Sequence, residues 1–273
     1  GSGKSTTALA IMQLVQAESG SILFDGQELC GLSAQALTKI RKDFQFIFQD
    51  PYSSLNPRTR IGAIVREPMD VMNLHSPQDR DEKARELLAK VGLRPDQFNL
   101  FPHQFSGGQR QRVGIARALA SGPKLVLCDE PVSALDVAIQ AQVLNLLRTL
   151  QTELKLTYLF ISHDLGVVQY MCDRIAVMYM GRIVEVGDRI SLFKSPKHPY
   201  TKSLLAAVPS MKMMGRKGRT VRAAPDAPKD AGGTTGCHYA AQCPFVHEAC
   251  RSVVPRMRPT SSDGHMVACH LDD

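Results

Sequence analysis

The chain has 273 residues, of which 44% are hydrophobic and 22% charged, and its formal net charge is +7. This composition is typical of a globular protein with one sizeable core and an appendage, and the longest apolar run falls far short of the ~20 residues of a spanning helix. The sequence therefore predicts no membrane-spanning segment. The basic charge permits binding to nucleic acid or to an anionic membrane face, but much of it lies in residues 212–222, a stretch typical of a solvated linker.

The first residues, GSGKST, contain the end of a phosphate-binding loop, G-x-x-x-x-G-K-[ST], known as Walker A. Its glycines let backbone N–H groups approach phosphate oxygens, Lys4 reaches the β- and γ-phosphates, and the Ser5 hydroxyl binds Mg²⁺. Counting back from Gly3 puts the first glycine of the motif before residue 1, so we expect the chain to be incomplete at this end. The alternative is a Gly/Ser turn with a chance lysine. The predicted phosphate-binding residues are Gly1, Ser2, Gly3, Lys4, Ser5 and Thr6.

The next segments predict a helix, two strands and a helical insert. TTALAIMQLVQAESG contains good helix formers, and SILFDGQEL is typical of a strand interrupted by an Asp-Gly turn. In DFQFIFQD, Phe44, Phe46 and Phe48 alternate, which predicts a strand with one buried face. Residues 51–105 differ in sequence pattern from the segments on either side. The charged helical stretch DRDEKARELLAKVGL within them indicates an inserted helical subdomain.

The segment FSGGQRQR predicts a helix that begins at a capping box. Ser106 is followed three residues later by Gln109, and Val113, Ala116 and Ala120 are spaced to face inward. A capped helix start with two glycines is a second anion-binding site, although one nucleotide-binding domain needs only one site for the γ-phosphate. The second site is explained if it serves the nucleotide of a partner subunit.

Two short apolar runs predict parallel strands that end at an active-site edge. KLVLCDEP places Asp129 and Glu130 at the end of one strand, and LTYLFISHD places His163 after the other. Two adjacent carboxylates can have different roles in catalysis. Asp129 holds Mg²⁺ through its water shell, and Glu130 polarises the attacking water. The alternative is a solvated strand end and a structural histidine. RIAVMYMGRIVEVG then predicts a hairpin around Met180-Gly181.

These elements predict an α/β nucleotide-binding domain over residues 1–208, with the helical insert at 51–105. A linker at 209–235 and a small Cys-rich module at 236–273 follow. The seven cysteines are an odd number without a dense framework, which favours a reducing cytosol over a secreted disulfide protein.

The order of the motifs resembles that of ATP-binding cassette (ABC) ATPases, a family of P-loop NTPases in which two domains sandwich two ATP molecules head to tail. Gln49 in IFQDP matches the Q-loop, and Asp129 with Glu130 matches Walker B. SALD, ending at Asp136, matches the D-loop, and His163 matches the switch histidine. The resemblance implies Glu130, His163 and Gln49 as catalytic residues, Ser5, Gln49 and Asp129 as Mg²⁺ ligands, and Ser106, Gly107, Gly108, Gln109 and Asp136 as further ATP contacts.

Three further stretches resemble the cassette subunits of bacterial dipeptide, oligopeptide and nickel importers: FQDPYSSLNPR, SPKHPYTKSLLAAVP and GCHYAAQCPFVHEAC. This resemblance implies an ATPase that energises peptide import at the cytoplasmic face of the bacterial inner membrane. Its expected partners are a second cassette, two transmembrane permease subunits and, indirectly, a solute-binding protein. Phe105 stands where Leu is usual before SGGQ, and Val132 where Thr usually follows DEP.

The tail contains four cysteines: Cys237, Cys243, Cys250 and Cys269. No C-x-x-C pair is present, so a zinc ribbon is less favoured, and the importer resemblance implies a [4Fe–4S] cluster. Zinc or four unliganded thiols in a docking module are the alternatives, and we expect the tail histidines, His265 among them, at the surface.

Two rival functions stay open at the level of sequence. One is a cassette ATPase of DNA repair or translation, although the stretch between phosphate loop and SGGQ lacks the heptads or Cys clusters expected there. The other is a catalytically incompetent fragment whose competent part is the metal-binding tail.

Overall fold

The computed structural model describes residues 2–207, 235–260 and 264–272. Residue 1 and most of the predicted linker, residues 209–234, lie outside the described residues. The chain forms two compact units. The first unit is Ser5–His163, and the second unit combines the residues up to Lys4 with the chain from Asp164 onward.

A helix and a small hairpin open the chain. Helix α1 (Lys4–Ile11) is followed by strands β1 (Leu23–Phe24) and β2 (Gln27–Glu28), which pair antiparallel. The turn between the strands is Asp25-Gly26, with φ of 52° and 79°, the left-handed backbone that this dipeptide favours. The predicted Asp-Gly turn is confirmed.

The first unit contains a parallel three-stranded sheet that brings the predicted active-site edge together. Its strands lie in the order β3 (Phe44–Ile47), β4 (Leu125–Asp129) and β5 (Thr157–Ile161). Because parallel strands end at the same edge, the residues that follow the three strands meet there.

The prediction of a single buried face for β3 was wrong. Phe44 and Phe46 are buried, but Ile47 on the other face is only 3% exposed, and Phe48 lies beyond the strand and is 41% exposed. Strands of parallel sheets are covered on both faces, so alternation is lost where the strand is fully packed.

Further helices belong to the first unit. They are α2 (Ala34–Ile40), α3 (Ile61–Val71), α4 (Pro77–Lys90), α5 (Gly107–Leu119) and α6 (Val137–Leu154), with 3₁₀ turns at Pro95–Asn99 and Pro102–Gln104. Helices α3 and α4 fall within 51–105, where helices were predicted. One apolar cluster unites α1, the hairpin and the sheet: Ala8, Met12, Leu29, Leu37, Phe44, Phe46 and Leu127.

The second unit is built on an antiparallel sheet. Strands β6 (Arg174–Tyr179) and β7 (Arg182–Asp188) form the predicted hairpin, with positive φ at Met180 and Gly181. Strands β8 (Arg258–Pro259) and β9 (Met266–Val267) complete it in the order β6-β7-β9-β8, so the Cys-containing tail adds strands to the hairpin. Its helices are α7 (Leu165–Met171), α8 (Arg189–Lys194), α9 (Pro199–Ala206) and α10 (Glu248–Ser252), and a 3₁₀ turn spans His270–Asp272.

A buried carboxylate joins the tail to β7. Glu185 is fully buried and accepts hydrogen bonds from the amides of Lys197 and His198 at 2.8 and 3.0 Å. His265 of the tail lies 2.7 Å from the same carboxylate through Nε2 and is only 3% exposed. The prediction of a surface position for His265 was wrong, because this contact removes the ring from water.

None of the helices in the described ranges combines the length and the apolarity needed to cross a bilayer.

Candidate active site

The candidate site lies at the edge where β4 and β5 end. Asp129 is the last residue of β4, and Glu130 follows with φ of 46°, an uncommon left-handed backbone for a residue with a side chain. The Glu130 amide donates to the Ile161 carbonyl at 2.9 Å. The amide and hydroxyl of Ser133 both donate to the Glu130 carbonyl, at 3.2 and 3.0 Å. Contacts on both sides thus stabilise the strained residue.

The Glu130 carboxylate is the centre of the site. Gln49, from the loop after β3, donates its Nε2 to Glu130 Oε2 at 3.0 Å. His163, from the end of β5, places Nδ1 at 3.0 Å from Oε1 of the same carboxylate. The Glu130 side chain is 17% exposed, whereas that of His163 is 66% exposed. The structure thus brings the three predicted catalytic residues, from three separate strand ends, into direct contact.

Asp129 is suited to hold a cation. Its residue is 7% exposed, and its Oδ1 is buried without a hydrogen-bond partner among the described residues. A buried carboxylate oxygen is costly unless a cation or water compensates it, and carboxylates are ligands that Mg²⁺ prefers. The predicted Mg²⁺ ligand Asp129 therefore fits that ion.

The phosphate loop has the backbone that its glycine requires. Gly3 has φ of 87°, and a Cβ built on it would lie 3.5 Å from Gly181 Cα in the same unit. The Lys4 ammonium donates to the Ser2 hydroxyl at 2.9 Å. Ser5 and Thr6 are exposed in the first turn of α1, where amides attract anions. Gly1 lies outside the described residues, and residues 2–4 belong to the second unit.

The SGGQ segment forms the predicted capping box. The Gln109 amide donates to Ser106 Oγ at 3.3 Å, and the Ser106 amide donates to Gln109 Oε1 at 2.9 Å. The residues expected to face inward are buried: Val113, Ala116 and Ala120. The predicted helix is confirmed.

Helix α5, which begins at SGGQ, packs closely at Gly108 against helix α6, which follows SALD. Asp136 caps α6 by accepting from the Ile139 amide at 3.0 Å, and Ser106 and Asp136 are both exposed. A Cβ on Gly108 would lie 2.4 Å from Ile139 Cγ2, so only glycine permits this approach of α5 to α6. A Cβ at position 107 would lie 3.4 Å from Leu135 Cδ2, which is an ordinary van der Waals distance.

Sequence reasoning missed two arginines of α5 that contact the loop after Gln49. Arg117 donates Nη1 to the Ser54 carbonyl at 2.6 Å, and the Arg110 guanidinium lies 4.0 Å from the centroid of the Tyr52 ring. Burial lowers the pKa of Arg117, and the charge of Glu67 opposes that shift. The sequence signal that could have identified this pair is the seven-residue spacing of Arg110 and Arg117, because residues seven apart lie on one helix face.

The tail cysteines do not form the predicted cluster site. Within the described ranges, which include all four tail cysteines, no three or more His, Cys, Asp or Glu are placed to hold a metal ion. Burial raises the pKa of the Cys237 thiol and of the Cys243 thiol. Neither the iron–sulfur cluster nor a zinc site is therefore supported by the structure.

Comparison with known proteins gives two family matches and a series of similar chains. The family described as ABC transporter matches residues 1–133, and the one described as oligopeptide/dipeptide transporter, C-terminal region, matches residues 184–250. A putative peptide import ATP-binding protein of Brucella ovis is 46% identical over 273 residues, which is 100% of this chain and 86% of that protein. The oligopeptide transport ATP-binding protein AppF of Bacillus subtilis is 46% identical, over 99% of this chain and 83% of AppF.

Solved structures show the same fold. An ATP-binding cassette in a dimeric post-hydrolysis state bound to ADP and Pi aligns with a TM-score of 0.62 at 33% identity, covering 69% of this chain and 81% of that one. CbiO1 of Clostridium perfringens, part of an ABC transporter complex, aligns with a TM-score of 0.63 at 29% identity, covering 71% and 76%.

Proposed function

This chain belongs to the ABC transporter family of ATP-binding proteins, and on that basis we propose that it hydrolyses ATP to energise the import of peptides. The observation that carries the proposal is the contact of Gln49 and His163 with the two oxygens of the Glu130 carboxylate. Similar proteins are named for peptide import, and the second family match covers a region described from peptide transporters.

The reaction is hydrolysis of the phosphoanhydride by in-line attack of water on the γ-phosphorus. Glu130 accepts the proton of the attacking water, and its two partners fix the orientation of the carboxylate. Gln49 orients the water, and the exposed His163 side chain stabilises charge that develops on the γ-phosphate. Positioning and electrostatics supply most of the catalysis in this class of reaction.

The nucleotide is held at the start of α1. Amides of the phosphate loop bind the phosphates, and Lys4 neutralises charge on the β- and γ-phosphates. The ion Mg²⁺, when bound, would be held by Ser5, Gln49 and Asp129 and would neutralise the phosphate oxygens. The residues assigned to this nucleotide are Gly1, Ser2, Gly3, Lys4, Ser5 and Thr6.

A second cassette completes the site. The exposed helix start at Ser106 presents amides that can bind an anion, and the exposed Asp136 lies at the start of α6 on the surface of the same unit. We assign Ser106, Gly107, Gly108, Gln109 and Asp136 to the nucleotide of the partner cassette. The dimeric cassette bound to ADP and Pi supports this arrangement by similarity.

The remaining partners follow from the importer assignment. Two transmembrane permease subunits bind the cassettes at the cytoplasmic face of the bacterial inner membrane, and a solute-binding protein delivers peptides from the other side. The proposal requires no metal in the Cys-containing tail.

Reconstitution tests this function. The protein, its partner cassette and the two membrane subunits are placed in proteoliposomes, and phosphate release is measured with and without peptide-loaded binding protein. We expect Mg²⁺-dependent ATP hydrolysis that rises with loaded binding protein and is unchanged by added DNA or RNA. Absence of hydrolysis would favour an incompetent chain, and stimulation by nucleic acid alone would favour the repair or translation class.

A further inference from the structure

We propose that Arg117 is a positioning residue that sets the place of Gln49 at the Glu130 carboxylate. The inference deepens the proposed function and rests on it, because it concerns how the hydrolytic site is held together. Helix α5 makes two contacts with the segment after Gln49, through Arg117 and Arg110.

The segment after Gln49 is a compact turn. The Asp50 carboxylate accepts from the Tyr52 amide at 2.8 Å, and the Asp50 carbonyl accepts from the Ser54 amide at 3.2 Å. The hydrogen bond from the Tyr52 amide lowers the pKa of the Asp50 carboxyl group. These hydrogen bonds tie Asp50, the residue that follows Gln49, to Tyr52 and Ser54, and on that basis we expect a displacement at Ser54 to reach Gln49 through Asp50.

Helix α5 holds the far end of this turn. Arg117 donates to the Ser54 carbonyl at 2.6 Å, a short, charge-assisted bond from a side chain that burial has largely removed from water. One face of the same helix carries Arg110 over the Tyr52 ring at 4.0 Å. The near end of the turn is the Gln49–Glu130 contact of 3.0 Å. The turn thus spans from the arginines of α5 to the carboxylate that activates water.

The arrangement has a chemical consequence. The helix that carries Arg117 begins at the SGGQ segment, so a shift of SGGQ would reach the turn after Gln49 through this helix and one part-buried hydrogen bond. Misplacement of a catalytic group by ~1 Å can cost about 100-fold in rate. Loss of the Arg117 bond should therefore lower kcat more than it changes the KM for ATP.

The same helix offers a matched control. Arg112 donates Nη1 to the Val91 carbonyl at 2.7 Å, which is the same kind of bond directed to the end of α4. Substitution of either arginine by Met removes a bond from the guanidinium to a backbone carbonyl, and Arg112→Met also removes the 3.4 Å bond from Arg112 Nη2 to Gln142 Oε1. Only Arg117→Met disturbs the turn at Gln49.

The test measures ATP turnover in the reconstituted importer for Arg117→Met, Arg117→Lys and Arg112→Met. We expect Arg117→Met to lower kcat about 10- to 100-fold with KM changed less than about threefold, and Arg117→Lys to recover part of the loss. Arg112→Met should keep kcat. Equal losses in the two Met variants would overturn the proposal in favour of general destabilisation.

A double variant tests whether Arg117 acts through Gln49. In a Gln49→Ala background, Arg117→Met should lower kcat no further, because the group that it positions is already gone. Additive losses would overturn the proposal.

Hydrogen exchange separates this inference from the proposed function. Arg117→Met should speed amide exchange in residues 50–54, and Arg112→Met should speed it near residue 91 instead. This readout needs no turnover, so it decides the inference even if the wild-type protein hydrolyses no ATP. Unchanged exchange at 50–54 in Arg117→Met would overturn it.

Discussion

His163 Nδ1 lies 3.0 Å from Glu130 Oε1, although 33 positions separate the two residues along the chain. The contact forms because parallel strands β4 and β5 are paired in register, with Asp129 opposite Ile161. The residues after the two strands are then neighbours at one edge of the sheet. Gln49 reaches the other oxygen from the end of β3.

Glu130→Gln should abolish turnover and leave MgATP binding intact. The amide keeps the shape and one acceptor of the side chain but cannot take a proton from water, a role typically worth about 10²- to 10⁴-fold in rate. ATP-dependent dimers with the partner cassette should persist in size-exclusion chromatography. The control is Glu153→Gln, because Glu153 is an exposed carboxylate on α6 paired with Lys90. Normal turnover in Glu130→Gln would assign proton acceptance to another group.

His163→Ala should lower kcat, since the side chain is exposed and its removal costs the fold little while Glu130 loses a partner. A loss of about 100- to 1,000-fold would match the removal of one hydrogen-bond donor to the charge that develops in the transition state. Steady-state phosphate release measures it. His103→Ala is the matched control, because His103 is an exposed histidine that stacks on Phe101. If both variants turn over like the wild type, His163 has no catalytic role.

Gly108→Ala should destabilise the protein, whereas Gly114→Ala on the same helix should not. The new methyl group at position 108 would meet Ile139 Cγ2 at 2.4 Å, and at position 114 it would meet nothing within 4 Å. Overpacking costs about 1–3 kcal/mol, and an alanine in an open helical position gains up to about 1 kcal/mol. Urea unfolding gives both free energies. Equal values for the two variants would show that α5 and α6 can separate without cost.

Glu185→Ala should destabilise the second unit. The buried Glu185 carboxylate accepts from two amides and contacts the His265 ring at 2.7 Å, and these groups would lose their partner inside the protein. A buried hydrogen-bonding group left without its partner costs about 1–3 kcal/mol. Urea unfolding of Glu185→Ala and of the exposed Glu248→Ala is compared. A loss below 1 kcal/mol in the former would mean that water replaces the lost partners.

Stability should fall at alkaline pH through Cys172. Burial raises the pKa of this thiol from 9.0 to about 11. The thiol of the unfolded chain ionises first as the pH rises above about 9, so the stabilising contribution is complete below that pH and is lost on the way to pH 11. The free energy of unfolding between pH 8 and 10.5 should decline more steeply in the wild type than in Cys172→Ala. Parallel declines would exclude the thiol as a cause.

Local sequence patterns determined much of the fold. The Asp-Gly turn, the capping box at Ser106 and the hairpin at Met180-Gly181 depend on residues within a few positions of one another, so their patterns are sufficient. Motif order also predicted the family, because phosphate binding and water activation require particular side chains at particular strand and helix ends. The alternating pattern predicted one buried face for β3, and this was wrong because packing covers both faces of the strand.

Contacts between distant segments required the tertiary structure. Nothing within the tail sequence indicates that His265 is buried against Glu185, because the partner lies on β7. The sequence also does not predict the hydrogen bond from Arg117 to the Ser54 carbonyl. Every residue has a backbone carbonyl, and only packing determines which one Arg117 contacts. The sequence alone thus determined which groups this protein brings to its site. The tertiary structure decided which of them touch, because contact depends on strand register and helix packing across the chain rather than on local spacing.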